Sequence, residues 1–190
     1  MANIKNDLPV MEFLDVVSKK DEVVGSLPKK EMYEKRLCHR IVHILIFNKK
    51  GEMALQLRSK KKSFLPDYWS TAVGGHVQSG ETYDQAALRE FKEELGIETK
   101  IKFLYKDLYI DDSRKLKKFI STFKTTFEGP FQANPEEVEK VEFFSLEKIQ
   151  KMIESGEKFH PELLFLLGKH FGVKFLLDDR NNYTEGKSAV

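Results

Sequence analysis

The sequence predicts an α/β or α+β fold in which strands and helices form layers. Strand-like and helix-like segments are mixed along the chain, and short turns join neighbouring strand-like segments. These local hairpins argue against a strictly parallel array. The 190 residues suit one main domain at 37–175, with an N-terminal extension at 1–36 and a flexible polar tail at 176–190.

The first half of the chain is predicted to consist mainly of strands. Apolar residues on both sides of a polar turn predict a short hairpin inside the N-terminal extension. Residues 39–47 are apolar on both faces, which is typical of a central strand, and the turn at Gly51 predicts that the next strand pairs with it as a hairpin. The pair Gly74-Gly75 is expected to end the last strand of this half. The predicted strands are residues 11–17, 23–24, 39–47, 53–58 and 70–73.

The second half contains the clearest helix, from Thr82 to Leu95. Ser79 and Gly80 are expected to cap it or lead into it, and Gly96 is expected to end it. The other predicted elements are strands at 101–109, 118–127 and 141–144 and helices at 146–154 and 161–171.

Composition and charge exclude some classes of protein. The longest apolar stretch, Ile41–Phe47, is far shorter than the roughly 18 residues of a membrane-spanning helix. The N-terminus has no apolar signal-peptide core, so a cytoplasmic location is expected. The net charge of +2 does not favour nucleic-acid binding. The single cysteine, Cys38, allows no intrachain disulfide and is interpreted as a strand residue near the core.

Basic residues nevertheless form two local clusters. Such runs are most often solvated faces, and the alternative is a surface that attracts a polyphosphate. The clusters consist of Arg58, Lys60, Lys61 and Lys62, and of Arg114, Lys115, Lys117 and Lys118.

The predicted helix carries Glu90, Glu93 and Glu94, whose spacing places their carboxylates on one face. Like charges at this spacing repel by about 0.2–0.5 kcal/mol per pair, so the face needs compensation. Arg89 can supply part of it, and Mg²⁺, which prefers oxygen ligands, is the stronger candidate. The alternative is a solvated acidic helix without a metal.

The opposite face of this helix is apolar and can pack against a sheet. Gly74 and Gly75, just before the helix, would let backbone carbonyls approach a metal closely. Glu81, where the helix opens, suits the positive end of the helix dipole. The apolar stripe consists of Ala87, Leu88, Phe91 and Leu95.

The segment GHVQSGETYDQAALREFKEELGI, from Gly75 to Ile97, resembles the Nudix box, G-x5-E-x7-R-E-U-x-E-E-x-G-U with U a bulky apolar residue. Nine constrained positions at fixed spacing make this signal specific, and the resemblance covers about residues 37–155. It implies an α/β/α sandwich with a mixed central sheet between helices. The matching positions are Gly75, Glu81, Arg89, Glu90, Phe91, Glu93, Glu94, Gly96 and Ile97.

The resemblance also implies a hydrolase in which water cleaves a diphosphate bond in a nucleotide or another nucleoside-diphosphate-linked small molecule. Metal ions would neutralise the diphosphate and lower the pKa of the attacking water. Glu81 and Arg89 would act in catalysis by orienting the other carboxylates. The implied site for Mg²⁺, or Mn²⁺ in its place, consists of Gly75, Glu90, Glu93 and Glu94.

The general base and the phosphate-binding cation are less well defined by the pattern. Arg58, at the end of a strand expected to face the box, is the best candidate for the cation. The base varies within the family, and the sequence does not rank its candidates. They are Glu90, Glu93 and the acidic stretch containing Glu136, Glu137 and Glu139.

The stretch KKKSFLPDYWSTAVGGHVQSGE also resembles the isopentenyl-diphosphate isomerase branch of the superfamily. His39 and His76 fall at two of its metal-binding histidines and are candidates here for substrate binding. Its catalytic cysteine falls on Gly74, a further histidine near Met32, and its glutamates on the LKK of 116–118. Because the thiol and the glutamates are missing, a hydrolase is expected. An isomerase-like protein or a non-catalytic diphosphate-binding module is the alternative.

Substrate identity is expected to depend on the loops at 59–69 and 111–118. Phe64, Tyr68 and Trp69 are interpreted as packing residues rather than as platforms for a base. The N-terminal hairpin is expected to cover the site or to pair with a second subunit in a homodimer. The basic clusters allow a capped RNA end as substrate, although no RNA-binding motif is present.

Overall fold

A computed structural model describes residues 11–174 of the chain, so the predicted tail at 176–190 lies outside the described residues. None of the helices within this range is long and apolar enough to cross a bilayer. The elements are β1 Phe13–Val17, β2 Val23–Pro28, α1 Lys29–Glu34, β3 His39–Phe47, β4 Met53–Arg58, β5 Trp69–Thr71, β6 Val73–His76, α2 Tyr83–Leu95, β7 Lys102–Asp111, β8 Leu116–Thr126, β9 Val138–Phe144, α3 Leu146–Glu154 and α4 Pro161–Phe171.

The main sheet is mixed, as predicted. Its strands follow the order β5-β4-β3-β8-β7, with β6 also paired to β3 and β9 to β4. The central strand β3 is parallel to β8 along its whole length and antiparallel to β6 over its first half. Side chains of successive β3 residues point to opposite faces, so the apolar run of 39–47 is buried on both sides of the sheet.

Helices cover both faces of this sheet. Val42, Ile44 and Ile46 of β3 belong to a buried cluster with α2, whereas Leu45 belongs to a second cluster with α3 and α4. The α/β/α sandwich is therefore confirmed. The second cluster also contains Ile149, Met152, Leu163 and Leu167.

The predicted hairpin between β3 and β4 is confirmed, although its ladder is short. The turn is present, with Gly51 at a positive φ of 78°. However, the two strands are paired only at Phe47 and Met53, because β3 pairs with β6 along its first half. The strands β3 and β4 therefore diverge from the turn onwards.

The expectation that Gly74 and Gly75 end a strand is wrong, since both lie inside β6 and pair with His43 and Val42. A Cβ atom on Gly74 would lie 2.7 Å from the His43 ring, and one on Gly75 would lie 2.0 Å from the carboxyl carbon of Glu90. The glycines are needed for close packing on both sides of β6, rather than for a turn.

Helix α2 begins one residue later than predicted. Thr82 caps it, and a reciprocal pair of hydrogen bonds with Gln85 completes a capping box. Ser79 and Gly80, expected at this cap, instead donate hydrogen bonds to Asp15 in the N-terminal hairpin. At the other end the helix stops at Gly96, whose φ of 66° favours glycine.

The apolar face of α2 is confirmed for three of its four predicted residues. Ala87, Phe91 and Leu95 are fully buried, whereas Leu88 is 45% exposed. Glu94 is buried as well, at 7% exposure, although it was expected on the open acidic face. The buried arc of the helix thus includes one of its carboxyl groups.

The predicted N-terminal hairpin is confirmed as a two-stranded sheet of β1 and β2. Its turn is fixed by Asp21, whose carboxylate accepts hydrogen bonds from Arg40, Tyr83 and Lys106. Burial opposes ionisation of Asp21, but these hydrogen bonds outweigh it and lower the pKa of the carboxyl. One side chain therefore anchors the hairpin to β3, α2 and β7. Pairing of the hairpin with a second subunit stays a prediction.

We expect Asp21→Asn to destabilise the protein by about 1–3 kcal/mol, because two cations lose their carboxylate. Asn tolerates the positive φ of 63° at this position, so the backbone should keep its conformation. The pKa of Asp21 is lowered by folding, so its contribution is present above about pH 4 and is lost on further acidification. Urea unfolding at pH 7 and pH 3 measures the difference. Equal stability of variant and wild type at pH 7 would contradict the anchoring role.

Candidate active site

A cavity of about 760 Å³ lies beside the predicted carboxylates. Its walls are formed by α1, β3, the end of β4, β5, β6, α2, β8, the start of α4 and the loops at 59–69 and 127–137. The cavity therefore brings together residues from the N-terminal extension and from both halves of the main domain.

Arg89 organises the acidic wall of this cavity. Its Nε and Nη2 atoms donate to both carboxylate oxygens of Glu81 at 2.8 and 2.9 Å. Nη2 also donates to the carbonyl of His76 at 2.9 Å, and Nη1 donates to Glu90 at 2.7 Å and to Glu93 at 3.2 Å. The hydrogen bonds from Arg89 hold the pKa of Glu81 below its usual value. That Glu81 and Arg89 orient the other carboxylates in catalysis stays a prediction.

Glu94 is the most deeply buried carboxyl group of the wall. Its side chain accepts one hydrogen bond, from Nε2 of Gln56 at 3.1 Å. Burial, and then the charges of Glu90 and Glu137, raise the pKa of Glu94 to about 8. Burial likewise raises the pKa of Glu90, although Arg89 counteracts it. In the absence of a metal ion, the carboxyl group of Glu94 is therefore protonated at neutral pH.

The donor set of this wall fits a hard divalent cation. Carboxylate oxygens are the ligands that Mg²⁺ and Mn²⁺ prefer, and a cation would compensate the buried charge of Glu94. Within residues 11–174 no three His, Cys, Asp or Glu side chains form a ready-made metal cluster. Glu90 and Glu93 instead accept hydrogen bonds from Arg89.

Arg58 lines the cavity, but part of its guanidinium group is already engaged. Nε donates to the carbonyl of Leu65 at 3.0 Å and Nη2 to that of Phe64 at 2.8 Å. These bonds fix the loop at 59–69, and the pKa of Arg58 is lowered by its burial. Trp69 is packed in the core, as predicted. Phe64 is 46% exposed and lines the cavity, so its interpretation as a packing residue is wrong.

The two predicted histidines differ in their access to the cavity. His76 lines it, and its Nε2 atom lies 2.7 Å from the hydroxyl of Tyr33. His39 is fully buried behind His76, with the two rings stacked at 5.5 Å. The Nδ1 atom of His39 bonds the carbonyl of Leu37, and its Nε2 atom has no hydrogen-bond partner. Burial lowers the pKa of both histidines, to about 4 for His39.

The acidic stretch that contains Glu136, Glu137 and Glu139 contributes one of these glutamates to the cavity lining. Glu137 lines the cavity and forms an ion pair with Lys62, which lines it too. Glu136 forms an ion pair with the exposed Lys61, and Glu139 is exposed and away from the lining. The structure thus distinguishes three glutamates that the sequence left unranked.

The sequence analysis missed a buried polar cluster on the other side of the cavity. Lys118 was expected on a solvated basic face and is only 6% exposed, so that interpretation is wrong for this residue. Its ammonium group donates to Glu162 at 2.7 Å, and the other oxygen of Glu162 lies 3.1 Å from His43. These residues come from β8, α4 and β3, so no local spacing in the sequence could have indicated the cluster.

Comparison with known proteins agrees with this fold and site. The family model described as the NUDIX domain matches residues 38–167. An uncharacterized Nudix hydrolase of Pseudomonas aeruginosa is 34% identical over 132 residues, which is 70% of this chain and 78% of the relative. Another, from Listeria monocytogenes, is 33% identical over 171 residues, covering 86% of this chain and 96% of the relative.

Among solved structures, DR0079 of Deinococcus radiodurans has a similar fold. It superimposes with a TM-score of 0.72 at 29% sequence identity. The match covers 83% of this chain and 98% of that protein.

We expect Glu94→Gln to stabilise the metal-free protein at pH 8. Folding raises the pKa of Glu94 to about 8, so the wild type loses stability as the pH rises from the unfolded value of about 4.3 to 8. Glutamine does not ionise in this pH range, so the variant does not lose this stability as the pH rises. Calorimetry in EDTA should show a higher Tm for the variant at pH 8 and a smaller difference at pH 5. A wild type as stable as the variant at pH 8 would contradict the burial argument.

Proposed function

The chain belongs to the Nudix family of hydrolases that act on diphosphate bonds, and we propose that it cleaves a nucleotide or another nucleoside-diphosphate-linked small molecule with the help of Mg²⁺. The observation that carries this proposal is the acidic wall itself. Three glutamates of α2 line one cavity. Two of them accept hydrogen bonds from Arg89, which is itself held by a bidentate pair with Glu81. A non-catalytic module would not need this complete set.

We propose that the carboxylates of Glu90, Glu93 and Glu94, with the carbonyl of Gly75, hold the divalent cation. When bound, Mg²⁺ or Mn²⁺ would neutralise the diphosphate and lower the pKa of the attacking water. Glu94 must release its proton to act as a ligand, so its burial couples deprotonation to occupation of the site. The close contact between Gly75 and the Glu90 carboxyl keeps this corner free of other side chains.

The cations on the rim of the cavity are proposed to bind the phosphates. Arg58 and Lys62 both line it, and Arg58 is held in place by its two bonds to the loop at 59–69. His76 is proposed to contact the substrate directly, and His39 to support His76 through the stacked rings. Both imidazoles are neutral at pH 7, so His76 can offer one donor or one acceptor.

We propose Glu137 as the group that accepts the proton of the attacking water. It is the member of the acidic stretch that lines the cavity, and its charge acts on Glu94. Lys62 positions its carboxylate through their ion pair. A base must reach the water it activates, and Glu136 and Glu139 lie outside the lining.

The principal test is a screen for Mg²⁺-dependent hydrolysis of nucleoside triphosphates, nucleotide sugars and dinucleotides. We expect Glu93→Gln and Glu94→Gln to lower kcat/KM by roughly 100–1000-fold, because the cation that stabilises the transition state is lost. Glu98→Gln is the matched control, since this exposed residue just after the helix pairs with Lys92 and should leave activity unchanged. Full activity of both site variants, or activity in EDTA, would contradict the proposed metal site.

For the general base, Glu137→Gln should lower kcat by roughly 100–10,000-fold with little change in KM. Its neighbour Glu136 pairs with a lysine in the same way but lies outside the cavity lining, so Glu136→Gln serves as control. Stopped assays over pH 6–9 would measure both variants. A loss confined to KM would instead assign Glu137 to substrate binding.

A further inference from the structure

The buried cluster opposite the acidic wall is built around one ammonium group. Lys118 is 6% exposed and lines the cavity, and its Nζ atom donates to Oε1 of Glu162 at 2.7 Å. Burial disfavours its charge, but the carboxylate of Glu162 outweighs this and raises the pKa of Lys118. Glu162 is itself ionised, because the neighbouring cation lowers its pKa despite burial. A charged, buried lysine therefore faces the cavity.

His43 contacts the same carboxylate through its other oxygen. Its Nε2 atom lies 3.1 Å from Oε2 of Glu162, and its Nδ1 atom lies 2.6 Å from the hydroxyl of Thr71. That hydroxyl donates to the carbonyl of Val73 at 3.0 Å. Glu162 is thus held between His43 and Lys118. An ammonium group has three donors, and the bond to Glu162 uses one of those of Lys118.

This cluster and the acidic wall lie on opposite sides of β6. Consecutive strand residues face opposite ways, and Gly74 packs against the ring of His43 whereas Gly75 packs against the carboxyl of Glu90. The glycine pair thus separates the Lys118 cluster on one side from the carboxylates on the other. Residues of both sides line the same cavity.

The N-terminal extension also contributes to this side of the cavity. The ammonium of Lys118 lies over the ring of Tyr33 of α1, with Nζ 5.4 Å from the ring centre. Lys29, also in α1, lines the cavity and is paired with Glu12 at 2.7 Å. Tyr33 and Lys29 precede the range matched by the family model, which begins at residue 38. This part of the cavity therefore lies partly outside the family match.

We propose that Lys118, His43 and Tyr33 form a second subsite, which binds an anionic oxygen group of the substrate other than the diphosphate that is cleaved. The group is a phosphate or a carboxylate, since the cavity-facing ammonium of Lys118 has donors left for an oxygen anion, and charge-assisted hydrogen bonds to such anions are strong. Glu162 holds Lys118 and His43 in place. As a statement about the substrate, this inference rests on the proposed hydrolase function.

Binding can be tested without turnover, in EDTA. The buried, ion-paired ammonium of Lys118 should give its own ¹H–¹⁵N resonance, assigned by its loss in Lys118→Met. We expect this resonance to shift in a titration with inorganic phosphate, with acetate as the carboxylate arm. The arm that gives the tighter binding identifies the chemical class of the group. No shift with either anion at concentrations that saturate a millimolar site would overturn the subsite.

Variants separate binding from folding. Lys118→Met alone leaves Glu162 buried without its cation, so the double variant Lys118→Met/Glu162→Gln removes both charges together. It should stay folded and bind phosphate about tenfold or more weakly by calorimetry. Lys117→Met is the matched control, because this lysine is exposed on the other face of the same strand. Unchanged phosphate affinity in the double variant would overturn the proposal.

Kinetics provide the second readout and distinguish the two proposals. NADP⁺ and coenzyme A each carry one phosphate more than NAD⁺ and dephospho-coenzyme A, outside the diphosphate. The wild type should have a lower KM for at least one phosphorylated member, and the double variant should lose that preference with kcat retained. Phosphate binding at Lys118 without any hydrolysis would refute the hydrolase function and leave the subsite. Hydrolysis with equal KM values in both pairs, together with no anion binding, would refute the subsite and leave the hydrolase function.

Discussion

The arrangement of the site depends on a single guanidinium group. The five N–H donors of Arg89 are distributed over two oxygens of Glu81, the carbonyl of His76 and the carboxylates of Glu90 and Glu93. Arginine is suited to this role because its donors have a fixed planar geometry and its charge is permanent. The network ties β6, the loop before α2 and the acidic face of α2 into one unit. Without it, three neighbouring carboxylates would have to be held apart by the backbone alone.

The deepest carboxyl of the wall has an unfavourable environment, which its proposed function explains. Glu94 lies at the boundary of the apolar face of α2, where it accepts a hydrogen bond from Gln56 and where burial raises its pKa. A buried group of this kind lowers the stability of the protein and is commonly found where function requires it. The apolar contacts of Phe91 and Leu95 on either side supply the packing that holds the helix against the sheet.

Local patterns predicted the parts of the molecule that depend on nearby residues. The central strand at 39–47, the helix ending at Gly96 and the contact of Arg89 with Glu93 all follow from spacing within a few turns or strands. The glycine pair was misassigned because its role depends on His43 and Glu90, which approach it from other elements. Glu94 was predicted on the exposed acidic face but is buried. The buried side of the helix is wider than the row of residues spaced four apart that the prediction used.

The parts that could not be predicted come from long-range pairing. Lys118 meets His43 and Glu162 only because β8 runs parallel to β3 and α4 begins beneath them. Nothing in the sequence near any of the three marks this meeting. The same holds for Tyr33, which reaches the cavity because the Asp21 anchor fixes the hairpin before it. Specificity in this chain is thus proposed to reside in contacts that the family pattern does not encode.

The most direct test of the account is the number of protons released when Mn²⁺ binds. Calorimetric titration at pH 7, in buffers with different ionisation enthalpies, measures this number. Because Glu94 is protonated in the metal-free protein, with a pKa of about 8, we predict release of roughly one proton per bound ion, and loss of binding in Glu94→Gln. Binding without proton release, or with unchanged affinity in Glu94→Gln, would show that the buried carboxyl is not part of the metal site.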